Sequence, residues 1–174
     1  MKILLTGGSA CGKSTYAEKI AVYFPRPRYY IATMQPYDDE CLAKIARHRE
    51  MRREKGFLTV ERQRDVGGLA LPERGTALLE CMCNLTANEM FDAEGNRTDV
   101  YDKILRDIQL LAAQCENLIV VTNNVGSDVR ACDEATQAYV ETLGRLNAAL
   151  AREFDCVYEL VCGIPLPWKG ELLF

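Results

Sequence analysis

One octapeptide constrains this chain more than any other feature. Gly7-Gly8-Ser9-Ala10-Cys11-Gly12-Lys13-Ser14 fits the pattern G-x-x-x-x-G-K-[ST], and its surroundings are the ones that pattern requires. An apolar run, Lys2 to Thr6 (KILLT), reads as a buried strand before it, and a helical stretch from about Lys13 to Phe24 follows, ended by Pro25 and Pro27. A strand, a glycine-rich turn and a helix N-terminus together make an anion cradle. The glycines let backbone N–H groups converge on phosphate oxygens, Lys13 neutralises charge at the β/γ-phosphates, and Ser14 is placed to ligate Mg²⁺. The candidate nucleotide contacts are therefore Gly7, Gly8, Ser9, Ala10, Cys11, Gly12, Lys13, Ser14 and Thr15. A chance match anywhere in a chain of this length has a probability on the order of one per cent.

The rest of the chain repeats the strand-to-helix alternation. Arg28 to Thr33 reads as a second strand, about Asp39 to Glu54 as a charged helix with Gly56 past its end, and Leu58 to Glu61 as a short third strand. Thr76 to Cys81 follows a Pro-Glu-Arg-Gly turn and reads as a buried strand, with a short helix through Met90. A polar loop spans Asp92 to Thr98, a helix about Asp99 to Cys115, a strand Leu118 to Asn123, and a loop Asn124 to Ala131. A helix from about Asp133 to Glu153 and a strand from Asp155 to Cys162 complete the pattern. Crossovers of this kind join parallel strands, so the expected fold is α/β, an open, mostly parallel sheet with helices on both faces, of the P-loop NTPase (RecA-like) type. Its ligands belong at the carboxyl ends of the strands. With no linker, repeat or low-complexity segment, residues 1–174 are expected to form a single P-loop nucleotide-binding domain.

Composition removes several functions. The 21 basic and 25 acidic residues leave a net charge of −4, without the positive surface that nucleic-acid binding needs. The apolar runs fall far short of the ~20 residues that span a bilayer. There is no signal-peptide pattern after Met1, so a cytoplasmic location is expected. Eight cysteines are scattered without a C-x-x-C pair and with one histidine, which suits small buried hydrophobes in a reducing compartment better than a zinc site.

A Mg²⁺ site at such a loop also wants a carboxylate at the end of a neighbouring strand. Glu80, which closes the apolar run TALLE, is the candidate, against the alternative of a solvated strand-end charge. Asp38 and Asp39 follow the second strand and either orient metal, accept a hydroxyl proton, or cap the next helix. His48 is the only histidine. Lys44, His48 and Arg52 fall at i, i+4 and i+8 of one helix, with Arg47, Arg49 and Arg53 nearby. Such a cationic neighbourhood disfavours imidazolium and leaves a neutral nucleophile beside anion-binding groups. The competing reading is a solvated charged face paired with Glu50 and Glu54.

From Met1 to about Gly170 the chain resembles the bifunctional adenosylcobinamide kinase/adenosylcobinamide-phosphate guanylyltransferase family. The pieces that carry the likeness are ILLTGGSACGKS, YIAT at Tyr30 to Thr33, DDE at Asp38 to Glu40, and KIARH at Lys44 to His48. LLEC at Leu78 to Cys81, VTNNVG at Val121 to Gly126, GRLN at Gly144 to Asn147 and GIP at Gly163 to Pro165 continue it in order. The resemblance implies a late step of cobalamin assembly with ATP or GTP as substrates. A triphosphate phosphorylates the aminopropanol hydroxyl of adenosylcobinamide, then GTP places GMP on a histidine with loss of pyrophosphate, and the GMP passes on to give adenosylcobinamide-GDP. His48 falls on the guanylylated histidine, Gly12, Lys13 and Ser14 on the phosphate loop, Glu80 on the acid of the LLEC strand, and Arg52 near a family arginine. The family also implies a homotrimer with active sites near subunit contacts. Cys11 stands where serine is usual, Asn124 where glutamate is usual, and Ser127-Asp128 interrupts a glycine-rich stretch. The alternatives are a P-loop kinase of a small alcohol without nucleotidyl transfer and a GTP-dependent switch; the latter lacks an N-K-x-D guanine motif.

Overall fold

The structure, a computed structural model, describes residues 1–36, 39–125 and 133–174, and within the helix Asp39–Arg52 it does not describe the side chains at positions 39, 40, 41, 44, 48 and 51. Asp38 and the Ser127-Asp128 departure therefore lie outside the described residues, as do the side chains of Asp39, Lys44 and His48.

Seven strands form one sheet in the order β3-β2-β4-β5-β1-β6-β7. They are β1 (Lys2–Gly7), β2 (Arg28–Ala32), β3 (Phe57–Glu61), β4 (Thr76–Glu80), β5 (Asn117–Val121), β6 (Cys156–Val161) and β7 (Ile164–Lys169). Every pairing is parallel except β6 with β7. The helices are α1 (Lys13–Tyr23), α2 (Asp39–Arg52), α3 (Met82–Met90), α4 (Tyr101–Gln114) and α5 (Glu134–Glu153), with a 3₁₀ turn at Val66–Gly68. The expected open, mostly parallel sheet is the one observed.

Two-residue periodicity divides the sheet between two cores. Ile3 and Leu5, Tyr30, Leu78, Ile119 and Val121, and Tyr158 face α1, where Tyr16, Ala17, Ile20 and Ala21 close over them. Leu4, Ile31, Leu79, Leu118 and Val120 face the other way, under Ile104, Ile108 and Leu111 of α4 and Leu143, Leu146 and Leu150 of α5. Continuous apolar runs such as ALL in β4 and LIVV in β5 are what a strand covered on both faces needs.

Two features differ from the sequence reading. The stretch after Cys162 forms β7, paired antiparallel to β6 through a turn in which Cys162 and Gly163 have φ of 51° and 83°. Two successive positive φ values suit the twist of a two-residue hairpin turn, but Pro165 and Pro167 disguise the strand in the sequence; prolines are tolerated there because β7 is an edge. The cysteines are also less uniformly buried than expected. Cys83, Cys115 and Cys156 are buried, Cys11 and Cys81 are half-buried, and Cys162 is exposed; all six are free thiols.

Candidate active site

The carboxyl edge of the parallel strands gathers the phosphate loop, the end of β4 and Arg47 of α2 around a cleft of about 400 Å³. Ser9 to Thr15 line one wall, and Met34, Arg47, Glu80, Cys81, Cys83, Asn84 and Asn123 are among the facing residues. The loop owes its shape to backbone that side chains disfavour. Gly12 has φ of +96° before α1, and a Cβ on Gly7 would lie 2.5 Å from the Leu160 carbonyl oxygen.

Lys13 is 7% exposed and its ammonium is held inside the loop, donating to the carbonyls of Gly7 at 3.1 Å and Gly8 at 2.5 Å. A phosphate entering the cradle offers the same ammonium a charged acceptor in place of these neutral ones, which is a stronger bond. The Cys11 Sγ lies 3.7 Å from the Lys13 Nζ, so the thiol that replaces serine takes part in the loop's own packing.

Ser14 and Glu80 meet although the strands that lead to them, β1 and β4, are not neighbours. Strand β5 lies between β1 and β4, where the sequence suggests adjacent strands. Glu80 shares the face of Leu78, the face covered by α1, and from there its Oε1 accepts the Ser14 hydroxyl. Its Oε2 accepts the Tyr30 hydroxyl at 2.9 Å. Among the described residues no three His, Cys, Asp or Glu side chains form a metal cluster. A hydroxyl and one carboxylate, both hard oxygen donors, are nonetheless a donor set that fits Mg²⁺, which takes its remaining ligands from water and substrate phosphates.

Behind Glu80, Tyr30 carries Arg52 on its ring, with the guanidinium carbon 3.9 Å from the ring centroid. Arg52 is 5% exposed and its Nε donates to Thr59 Oγ1 at 3.2 Å. Position 48 stands one helical turn before Arg52 on α2. Burial, and then the charge of Glu80, push the Tyr30 hydroxyl well above the ordinary phenol range, so it remains a donor.

Several side chains of the matching motifs brace this edge. Thr33 of YIAT donates to the Cys81 carbonyl at 2.8 Å and accepts the Cys81 N–H at 2.7 Å. Asn147 of GRLN accepts the Thr122 hydroxyl at 2.8 Å and donates to the Asn123 carbonyl at 3.3 Å. Gly163 of GIP donates its N–H to the Cys11 carbonyl at 3.0 Å, so the β6–β7 turn supports the phosphate loop. Asn124 is exposed, and its N–H reaches the Gly7 carbonyl at 3.3 Å. The Cys83 thiol is drawn below its ordinary range by the neighbouring Cys81 thiol and the Asn123 N–H. Cys115, buried away from such donors, is pushed up to about 11. Sequence reasoning misses this bracing; its one trace is a polar position in each of YIAT and LLEC, on strands that end at the same edge.

A family profile described as cobinamide kinase / cobinamide phosphate guanyltransferase (CobU) matches residues 3–168. The chain belongs to this family. Its relatives include the bifunctional adenosylcobalamin biosynthesis protein CobU of Escherichia coli (strain K12), 34% identical over 183 residues that cover 97% of this chain and 100% of that protein. Another is the bifunctional adenosylcobalamin biosynthesis protein CobP of Pseudomonas aeruginosa PAO1, 32% identical over 176 residues, covering 99% of this chain and 100% of that one. Among solved structures, a prototypical ATPase from the type III secretion system of pathogenic bacteria superposes with a TM-score of 0.53 at 10% identity, over 92% of this chain and 51% of that one. At that identity the likeness concerns the fold alone, and the fold of this CobU-family chain is of the P-loop NTPase, RecA-like type. No described helix is long and apolar enough to cross a membrane.

Proposed function

We propose that this CobU-family chain is a bifunctional transferase that phosphorylates adenosylcobinamide and then guanylylates the product, with residues 1–174 working as one unit. The observation that carries the reading is the chain of contacts at one sheet edge from Ser14 of the phosphate cradle to Glu80, from Glu80 to Tyr30, and from Tyr30 to Arg52 at the end of the helix bearing His48. In the first reaction the loop from Gly7 to Thr15 and Lys13 hold the triphosphate of ATP or GTP. The substrate hydroxyl oxygen attacks the γ-phosphorus, its proton leaves, and the nucleoside diphosphate departs. Ser14 and Glu80 would hold Mg²⁺, which supplies charge neutralisation on the phosphates.

In the second reaction a ring nitrogen of His48 attacks the α-phosphorus of GTP, forming a phosphorus–nitrogen bond as the bond to pyrophosphate breaks. A phosphate oxygen of adenosylcobinamide phosphate then attacks the same phosphorus, the phosphorus–nitrogen bond breaks, and adenosylcobinamide-GDP leaves. Dividing one displacement into two is the gain of a protein nucleophile. Arg52 supplies positive charge near the transferring phosphate. A homotrimer is the assembly expected for this reading, which solution mass measurement checks.

Labelled GTP tests the covalent step. Label from α-³²P GTP should remain on the denatured protein in alkali and be lost in acid, whereas label from γ-³²P GTP should be absent from this adduct. His48→Asn should abolish the adduct and keep most of the cobinamide kinase activity. Equal labelling of the variant and wild-type proteins would refute the role of His48, and no labelling of either would leave a kinase alone.

A further inference from the structure

Tyr30, the first residue of YIAT, is the side chain that touches both halves of the site. Its ring is 3% exposed on β2, on the same face as Glu80 two residues further along the neighbouring strand, since Tyr30 pairs with Leu78 and Ala32 with Glu80. The phenol therefore spans one residue pair to reach Oε2 at 2.9 Å, while Oε1 is turned to Ser14. The Phe57 ring meets Tyr30 edge-on, with centroids 6.0 Å apart, and so fixes the plane that the Arg52 guanidinium covers at 3.9 Å. A glutamate has three rotatable side-chain bonds, and a single buried donor on one oxygen selects the rotamer that presents the other oxygen. Partners of this kind, standing behind a metal-binding carboxylate, ordinarily govern metal affinity.

We propose that Tyr30 is a positioning residue shared by the two half-reactions, its hydroxyl aiming the Glu80 carboxylate at the Mg²⁺ position beside Ser14 and its ring seating Arg52 next to the His48 turn of α2. This inference rests on the function proposed above. Two substitutions separate the two contacts. Tyr30→Phe keeps the ring under Arg52 and removes only the bond to Glu80. Tyr30→Leu removes both.

The measurement is equilibrium binding of the β,γ-imido analogue of ATP to the full chain, by calorimetry, in Mg²⁺ and again in EDTA. Tyr30→Phe should bind the analogue about tenfold more weakly than wild type in Mg²⁺ and equally well in EDTA. At saturating Mg²⁺ its labelling by α-³²P GTP should be slower than wild type, and that of Tyr30→Leu slower again. A Tyr30→Phe protein equal to wild type in both media, or weakened by the same factor in both, would overturn the proposal, because a merely structural hydroxyl does not discriminate between them. Equal labelling rates for Tyr30→Phe and Tyr30→Leu would overturn the seating of Arg52. The wild-type arm stands apart: indifference to Mg²⁺ there overturns the metal reading of Ser14 and Glu80, whereas a normal Mg²⁺ effect with an unchanged Tyr30→Phe overturns only the role of Tyr30.

Discussion

Helices α1 and α2 each follow a parallel strand at the ligand edge, and they are held by different forces. Helix α1 buries Lys13, Tyr16, Ala17, Glu18, Ile20 and Ala21 against the sheet. Burying a large apolar side chain such as Ile20 contributes about 1.5 to 3 kcal/mol, so the cradle at its N-terminus rests on core packing. Along α2, the described side chains are exposed at Leu42, Ala43, Ala46, Arg47, Arg49 and Glu50, half-buried at Ile45, and buried only at Arg52. Polar contacts tether its C-terminal end. Arg52 lies on Tyr30, Arg49 pairs with Glu61 at 2.8 Å, and in the turn beyond it Lys55 pairs with the fully buried Glu18 of α1. The difference teaches that the triphosphate cradle is built into the core. The helix proposed to carry the nucleophile is instead, among its described side chains, tethered to that core near its C-terminal end through charges and one aromatic ring.

The sharpest test of the cradle is Lys13→Ala. Losing the buried ammonium should lower both cobinamide phosphorylation and protein guanylylation about 100-fold or more, measured as kcat/KM for each, with the circular dichroism spectrum unchanged. Wild-type phosphorylation by this variant would show that the loop is not the triphosphate site.

The tether of α2 is tested through stability. Glu18 is fully buried and one of its oxygens, Oε1, has no partner among the described residues, so the pair with Lys55 is all that compensates its charge there. Lys55→Met should cost about 3 kcal/mol in urea denaturation. The double variant Glu18→Leu/Lys55→Met should recover much of that loss, because an apolar pair leaves no buried charge behind. If the single variant costs nothing, the two helices are not joined by this ion pair.

The smallest effect belongs to the surface. Arg49 and Glu61 are 61% and 37% exposed, so Arg49→Ala should change stability by no more than about 0.5 kcal/mol. A larger loss would mean that the exposed part of α2 also carries part of the attachment, beside Tyr30, Arg52 and Lys55.

The sequence by itself determined the local parts: the strand, glycine loop and helix of residues 2–23, the alternation that makes the sheet parallel, and the chemical identity of Lys13, Ser14 and Glu80 as candidate phosphate and metal groups. These are legible because backbone conformation at Gly7 and Gly12, apolar periodicity, and side-chain chemistry are properties of short segments. The tertiary structure alone decided that β5 separates β1 from β4 and that Glu80 nevertheless reaches Ser14 from the face covered by α1. It also decided that Tyr30 takes the other Glu80 oxygen, that the Cys162–Gly163 turn backs the phosphate loop, and that Pro165 and Pro167 sit in an edge strand. Strand order and register arise from pairing between segments far apart in the chain. Because a shift of one residue sends a side chain to the opposite face, no local pattern around Tyr30 or Glu80 could announce that the two would meet.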